Sequence, residues 1–509
     1  MDLPATPPLP AGFPPRRTWG PAAVLAVLAL ALYAAVLVRF VDATASGSDE
    51  SGYFNHARLL ASGTVHVAAR ELPGLPMGRT PYYWYVPLGL KPGPDGRTLV
   101  PTYPVGLPLL ILAARPFAGW ERGADAILVL HNLAGLLLVW SLGRTVGLSS
   151  AWACLGSVIV AASPLYLFFT FRAMSDLPAM VWTTAAVLAA WRARERASWA
   201  LLAGAALAGA VLIRPSNALA ALPVWVALGF SPATARADLF RWALALLGAL
   251  PGAVFFCLHS QAAYGSWLTT GYGQVGVDFG ATWVGVTLAH YAHWLPILFT
   301  PIVFFILALP WRARSAPRAT AVLLAWIVPY AAFYMTYRCT HETWWYLRFL
   351  LPAAPALVAG SLLGLQSVIP KAARMLPPGL ALAGACGAVF LFDGHWLRTF
   401  NTLSTGRDER AYRGAAAWLP AHIPHDAVIL SMQASGALFF DTDYTLLRWD
   451  QVTDDNRTLL LSTLNKSKRP LYAVLFPFET DAALREHMPG HWSKVGAIDM
   501  ITVWQRQGE

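Results

Sequence analysis

Long apolar runs recur between short gaps along the first 395 or so residues of this 509-residue chain. Runs of about 17–25 such residues can cross a bilayer, because a helix satisfies its own backbone hydrogen bonds in hydrocarbon. A chain that is 56% hydrophobic and only 13% charged fits that reading, since a soluble globule carries roughly twice the charge. The expected fold is therefore a polytopic α-helical membrane protein. The formal charge of +10 could suggest nucleic acid, but the excess lies before residue 398, in short gaps between alternate apolar runs. Arg16/Arg17, Arg144, Arg192/Arg194/Arg196, Arg236/Arg241, Arg312/Arg314/Arg318 and Lys371/Arg374 form those clusters, which mark cytoplasmic loops and exclude a nucleic-acid partner.

Placing those clusters inside gives eleven spans, roughly 20–41, 124–142, 150–170, 177–191, 199–213, 217–230, 241–258, 291–309, 319–337, 349–366 and 377–393. The N-terminal segment 1–19 is then cytoplasmic, a first external loop covers about 42–123, and the membrane domain ends near 397. "TYPVGLPLLILAARPFAG" (102–119) is read as a juxtamembrane or re-entrant helix, since a further span there would reverse the charge rule. The tail, 398–509, has no spanning run. It alternates a helical pattern in "DERAYRGAAAWLPAHIP" with the strand-like runs "AVILS", "TLLRW", "LYAVLF" and "ITVWQR", so a small external α/β domain is expected. The four cysteines have no metal-ligand spacing and read as core residues.

The membrane-domain acids concentrate in the expected external segments, so chemistry should face outward. Asp49 and Glu50 open a predicted helix, Ser48 to Leu60, whose spacing puts Tyr53, Ala57 and Leu60 on one face and suggests an amphipathic helix lying along the membrane. The plain alternative is that Ser48 or Asp49 only caps that helix. Asp176, in "FRAMSDLPAM", stands between two apolar runs, where an N-cap role with Ser175 competes with a functional one and Arg172 is a candidate ion-pair partner. Arg214 in "LIRPS" and Arg348 in "WWYLRFLLPAAPAL" lie at outer span ends, where guanidinium groups either snorkel or bind phosphate. His341 and Glu342 are weak metal-ligand candidates. The sequence has no phosphate loop, GxSxG elbow, HExxH or dinucleotide fingerprint.

Together the Asp49-Glu50 pair with Tyr53, "TYPVGLPLL", "SPLYLFFTFRAMSDLPAM", "LIRPS" and "WWYLRFLLPAAPAL" resemble the C-type (GT-C) membrane glycosyltransferases. The nearest branch is the protein O-mannosyltransferase and lipid A aminoarabinose transferase group, and the likeness spans roughly residues 20–365. It implies an inverting transferase that moves a sugar from a polyprenyl-phosphate donor to an acceptor hydroxyl of a protein, lipid or glycan. The reaction would take place on the external face of the cell inner (plasma) membrane. Carried over, Asp49 is the general base. Glu50 and Asp176 orient the acceptor or hold a divalent cation such as Mg, Mn or Zn. Arg348, Arg214 and more weakly Lys91 bind the donor phosphate, while Tyr53, Tyr103, His341 and Glu342 line the acceptor or donor pocket. Leu90 stands before Lys91 where the aminoarabinose branch has an acid, which puts that branch's metal and phosphate contacts in doubt. Competing readings are a cell-surface polysaccharide polymerase or ligase, a lipid-linked sugar transporter or flippase, and a non-catalytic scaffold.

Overall fold

The computed structural model of the chain describes residues 21–77, 83–229, 231–273, 275–368 and 378–507. Arg16/Arg17, Lys371/Arg374 and the segment 1–19 lie outside the described residues. The described chain is an α-helical membrane protein with a small sheet-containing unit. Its helices are α1 Pro21–Phe40, α2 Asp49–Ala61, α3 Gly106–Ala118, α4 Trp120–Thr145, α5 Ser150–Ala162, α6 Pro164–Thr170, α7 Asp176–Arg192, α8 Trp199–Ile213, α9 Ala221–Leu228, α10 Ala235–Tyr264, α11 Val284–Leu298, α12 Pro317–Met335, α13 Ala354–Val368 and α14 Pro378–Thr399.

Among the described residues five helices are long and apolar enough to cross a membrane, or up to seven elements if each of two bent pairs counts as one. Several expected spans are broken or short, and the breaks have local causes. Ser163 is extended and accepts from the Tyr166 amide, so Pro164 starts α6 at 60° to α5. At 291–309, where one straight span is expected, Thr300 has φ +64 and Pro301 follows, and the two halves meet at 111°. α8 is 15 residues long. At 1.5 Å per residue it reaches about 22 Å, short of the roughly 30 Å hydrocarbon thickness.

The two ends of the bundle differ in charge. At one end Arg318 donates to the Trp191 and Ala227 carbonyls at 3.0 and 2.9 Å, covering the last turns of α7 and α9, and Arg192 reaches Ser141 at 3.3 Å. Asp176 begins the 17-residue α7 and Arg192 ends it. The acids therefore stand at the opposite end, about 25 Å away.

The tail forms α16 Arg410–His422 after a single turn, α15 Thr405–Asp408, with α17 Ser435–Asp441 and α18 Asp454–Ser467. A small antiparallel sheet in the first loop has β1 Val67–Ala68, β2 Leu90–Pro92 and β3 Thr98–Pro101, in the order β1-β3-β2. The tail sheet comprises β4 Val428–Leu430, β5 Thr445–Leu447, β6 Leu471–Leu475, β7 Trp492–Ile498 and β8 Ile501–Arg506, in the order β5-β4-β6-β8-β7. β4 pairs in parallel with β5 and β6, and the β7–β8 hairpin adds an antiparallel edge. β7 is not legible in the sequence because "WSKVGAI" is apolar only in part, and in the fold none of it is fully buried.

The first loop and the tail share one hydrophobic core. Leu72, Leu75, Trp84, Tyr85 and Leu99 pack with Ile429, Leu438, Leu447 and Leu475. Backbone contacts seal the junction: the Arg448 amide donates to the Trp84 carbonyl at 2.7 Å, and Arg70 donates to the carbonyls of Thr442 and Phe439 at 2.6 and 2.8 Å. The tail from 398 on thus packs on the first external loop.

Candidate active site

α2 is buried on most of its surface rather than laid along a membrane face. Its polar side, which the spacing assigns to water, is covered by α17. Asn55 donates to the Gly436 carbonyl at 3.0 Å, Arg58 bonds the Phe440 carbonyl, and Phe54 packs on Phe440. On another side Gly52 meets the first loop. A Cβ there would lie 2.4 Å from the Tyr103 ring and 3.0 Å from the Gly89 Cα, so only glycine lets the strand segment close over α2. Gly52→Ala is expected to cost about 1–3 kcal/mol and to displace Tyr103. Thermal unfolding of the purified protein, with turnover measured in parallel, checks it.

Two Asp–Arg pairs meet at this end of the bundle. Asp49 begins α2, and its Oδ2 is 2.9 Å from Arg348 Nη1. Asp176 begins α7, is fully buried, and pairs with Arg214 through Oδ1, while its Oδ2 has no hydrogen-bond partner. Both carboxylates lie in first helical turns, where the dipole favours negative charge. The neighbouring cap residues do other work. Neither Ser48 nor Ser175 makes a side-chain cap. Ser48 Oγ is 2.8 Å from the Tyr103 hydroxyl, and Ser175 Oγ accepts from the Tyr53 hydroxyl at 2.8 Å. Simple capping therefore does not explain the SDE and SD sequences.

Aromatic rings wall the cations. Arg348 lies over Phe349, Phe169 and Tyr346 at 5.3, 5.6 and 5.8 Å, and Arg214 over Phe349 at 5.4 Å. Tyr334 stacks on Phe349 and donates to Ser216 at 2.6 Å. Burial alone would raise the Asp49 pKa, but Arg348, Tyr103 and Arg214 together hold the carboxyl below its ordinary value. It is therefore ionised at neutral pH.

Glu50 points elsewhere. Arg172 Nη2 is 2.5 Å from Glu50 and 3.1 Å from Glu409, so the arginine joins α2 to the start of α16. Arg172 is thus not the partner of Asp176, as its position one turn upstream suggests; Arg214, 38 residues later, is. Burial pushes the Glu50 carboxyl up to about 7; Arg172 opposes this, while Glu409 and Asp49 add to it. Because the folded state holds this proton above the ordinary value of 4.5, the contribution to stability is complete below about 4.5 and lost as pH rises through about 7. Glu50→Gln is expected to flatten that fall, as read from thermal unfolding across this pH range.

The other predicted site residues are not gathered here. Lys91 sits half-buried with its Nζ 4.7 Å over the Tyr264 ring. His341 stacks on Trp283 at 5.3 Å and Glu342 is exposed. A divalent cation held by Glu50 and Asp176 does not fit: each carboxylate faces its own guanidinium, and among the described residues no three His, Cys, Asp or Glu side chains form a group able to hold a metal. Sequence reasoning missed His56, which is buried, kept neutral by burial and His259 with its pKa near 3, and donates from Nδ1 to the Tyr103 carbonyl at 3.2 Å. Its Nε2 then accepts from His259 at 3.0 Å. It also missed Tyr272, whose ring meets Tyr103 at 6.1 Å and whose one signal is the Gly- and Tyr-rich loop around it.

This architecture is a GT-C fold, a helical membrane scaffold with a small sheet domain. Within that class it is ArnT-like. The structure of ArnT from Cupriavidus metallidurans bound to undecaprenyl phosphate matches with a TM-score of 0.62 over 95% of this chain and 98% of that one, at 16% identity. The arabinofuranosyltransferase AftD from Mycobacteria matches at 0.51 over 94% of this chain and 41% of that one, at 13% identity. The Archaeoglobus fulgidus oligosaccharyltransferase matches at 0.50 over 89% of this chain and 70% of that one, at 12% identity. No protein-family model and no curated protein matches the sequence.

Proposed function

We propose that the chain is a glycosyltransferase that moves a sugar from a polyprenyl-phosphate-linked donor to an acceptor hydroxyl, with inversion, at the external face of the plasma membrane. The observation that carries this reading is the Asp49–Arg348 pair beside the Asp176–Arg214 pair, with Tyr53 and Tyr103 alongside, at the end of the bundle away from the loop arginines. By the charge rule the N-terminus is cytoplasmic and the tail unit external. The ArnT structure, similar in fold, holds undecaprenyl phosphate, and a lipid carrier of that kind supplies an activated donor without a nucleotide site.

In this scheme Arg348 and Arg214 stabilise the charge that grows on the departing lipid phosphate. Asp49 accepts the acceptor proton as the hydroxyl oxygen attacks the anomeric carbon, and the bond from that carbon to the phosphate oxygen breaks with its electron pair. In the free protein Arg348 keeps Asp49 a weak base. Phosphate bound to Arg348 draws that cation away, raising the basicity of Asp49 when a donor is present. Asp176 holds Arg214, and Tyr53 and Tyr103 border the acceptor space. Mass spectrometry of surface glycans, glycolipids and glycoproteins from cells lacking the protein tests the proposal. Loss of one sugar, restored by wild type and not by Asp49→Asn, is the expected result. Rescue by both would replace transfer with transport or a scaffolding role.

A further inference from the structure

A second cationic feature lies outside this site. Where α1 ends and the chain leaves α14, a cavity of about 320 Å³ is lined by Arg39, Asn401, Leu403, Ser404, Arg407 and Arg410. This is the low end of the size of small-molecule pockets, roughly 300 Å³. Three guanidinium groups converge on it, and two of them have a carboxylate nearby. Arg410 pairs with Asp42, and Arg407 is 4.0 Å from Asp408, which also accepts from Ser404. Arg39 is exposed, leans on the Phe40 ring at 5.8 Å and has no carboxylate partner among the described residues. Such spacing of planar donors suits a phosphate.

The helices that lead to the cavity are apolar and outward-facing. Leu28, Leu32, Val36 and Val38 of α1 are exposed, as are Leu380, Phe390 and Leu391 of α14. Both helices end at the cavity, and Leu403 on its wall is itself exposed. An occupant can therefore keep acyl chains along α1 and α14 while its headgroup enters among the arginines.

We propose that this cavity binds the phosphate headgroup of an anionic membrane lipid. The proposal depends on the membrane fold and not on the assignment of Asp49. A chain of ion pairs links the cavity wall to the candidate site. Arg410 adjoins Glu409, which shares Arg172 with Glu50, the neighbour of Asp49.

Native mass spectrometry of the detergent-purified full chain, titrated with dioctanoyl phosphatidic acid, tests it. Wild type is expected to retain the lipid about tenfold more tightly than Arg39→Gln/Arg407→Gln, the difference expected when charge-assisted contacts are lost. Arg39→Lys/Arg407→Lys is expected to recover part of the binding. Both positions are exposed, so the fold should survive, and an unchanged melting temperature verifies it; the single variants, each with a smaller loss, serve if the double variant does not fold. Dioctanoyl phosphatidylcholine and inorganic phosphate form the comparison arms. Equal retention by wild type and the glutamine variant overturns the proposal. So does displacement by inorganic phosphate at concentrations equal to the lipid, which would make the cavity a site for a free anion.

Discussion

Asp49→Asn is expected to lower transfer by roughly a thousandfold, within the range of 10²–10⁴ supplied by a positioned base, while leaving the melting temperature nearly unchanged. The asparagine keeps the shape of the side chain and still accepts from Arg348, but it cannot take a proton. The Asp49 side chain is 20% exposed and Arg348 17%, so water and the retained hydrogen bond moderate the loss of one ion pair. Turnover of a labelled polyprenyl-phosphate sugar by the purified variant decides the matter. Wild-type rates from a folded variant would sink the assignment of the base. A dead enzyme with a collapsed melting temperature would show instead that Asp49 is structural.

Asp176→Ala should act in the opposite sense, on folding before chemistry. Arg214 is 10% exposed and Asp176 fully buried, so truncation strands a guanidinium among aromatic rings. Leaving one member of a buried pair without its partner costs about 3–5 kcal/mol. The comparison that isolates this cause is Asp176→Leu with Arg214→Met, which removes both charges and should recover most of the stability while remaining inactive. If the double variant melts as low as Asp176→Ala, packing rather than stranded charge sets the cost. Unfolding followed by tryptophan fluorescence in one detergent distinguishes the two.

The carboxylates and arginines of this site were visible in the sequence because apolar runs make an ionisable residue at a helix end conspicuous. Asp49, Asp176, Arg214 and Arg348 all stand where such runs begin or stop. Their pairing was not visible, since nearest neighbours in sequence are poor guides across a bundle; Arg172 lies four residues from Asp176 and faces Glu50 instead. The surroundings of α2 were hidden for the same reason. Periodicity sorts a helix into apolar and polar sides, but the polar side of α2 is covered by α17, nearly 400 residues downstream. Composition also could not reveal that an apolar stretch bends. Thr300 and Ser163 break theirs through backbone conformation, which hydropathy does not record.

The shared core of first loop and tail has a consequence for how the molecule is made. A ribosome releases Leu72 to Leu99 long before Val428 exists, and at roughly 5–20 residues per second the wait is on the order of tens of seconds. During that interval the tail half of this core does not yet exist, and α2 waits without the cover of α17. Synthesis of the tail, rather than insertion of the helices, is therefore the event that covers α2 and completes the surroundings of Asp49. A nascent chain that stalls late would be anchored and largely helical, yet inert.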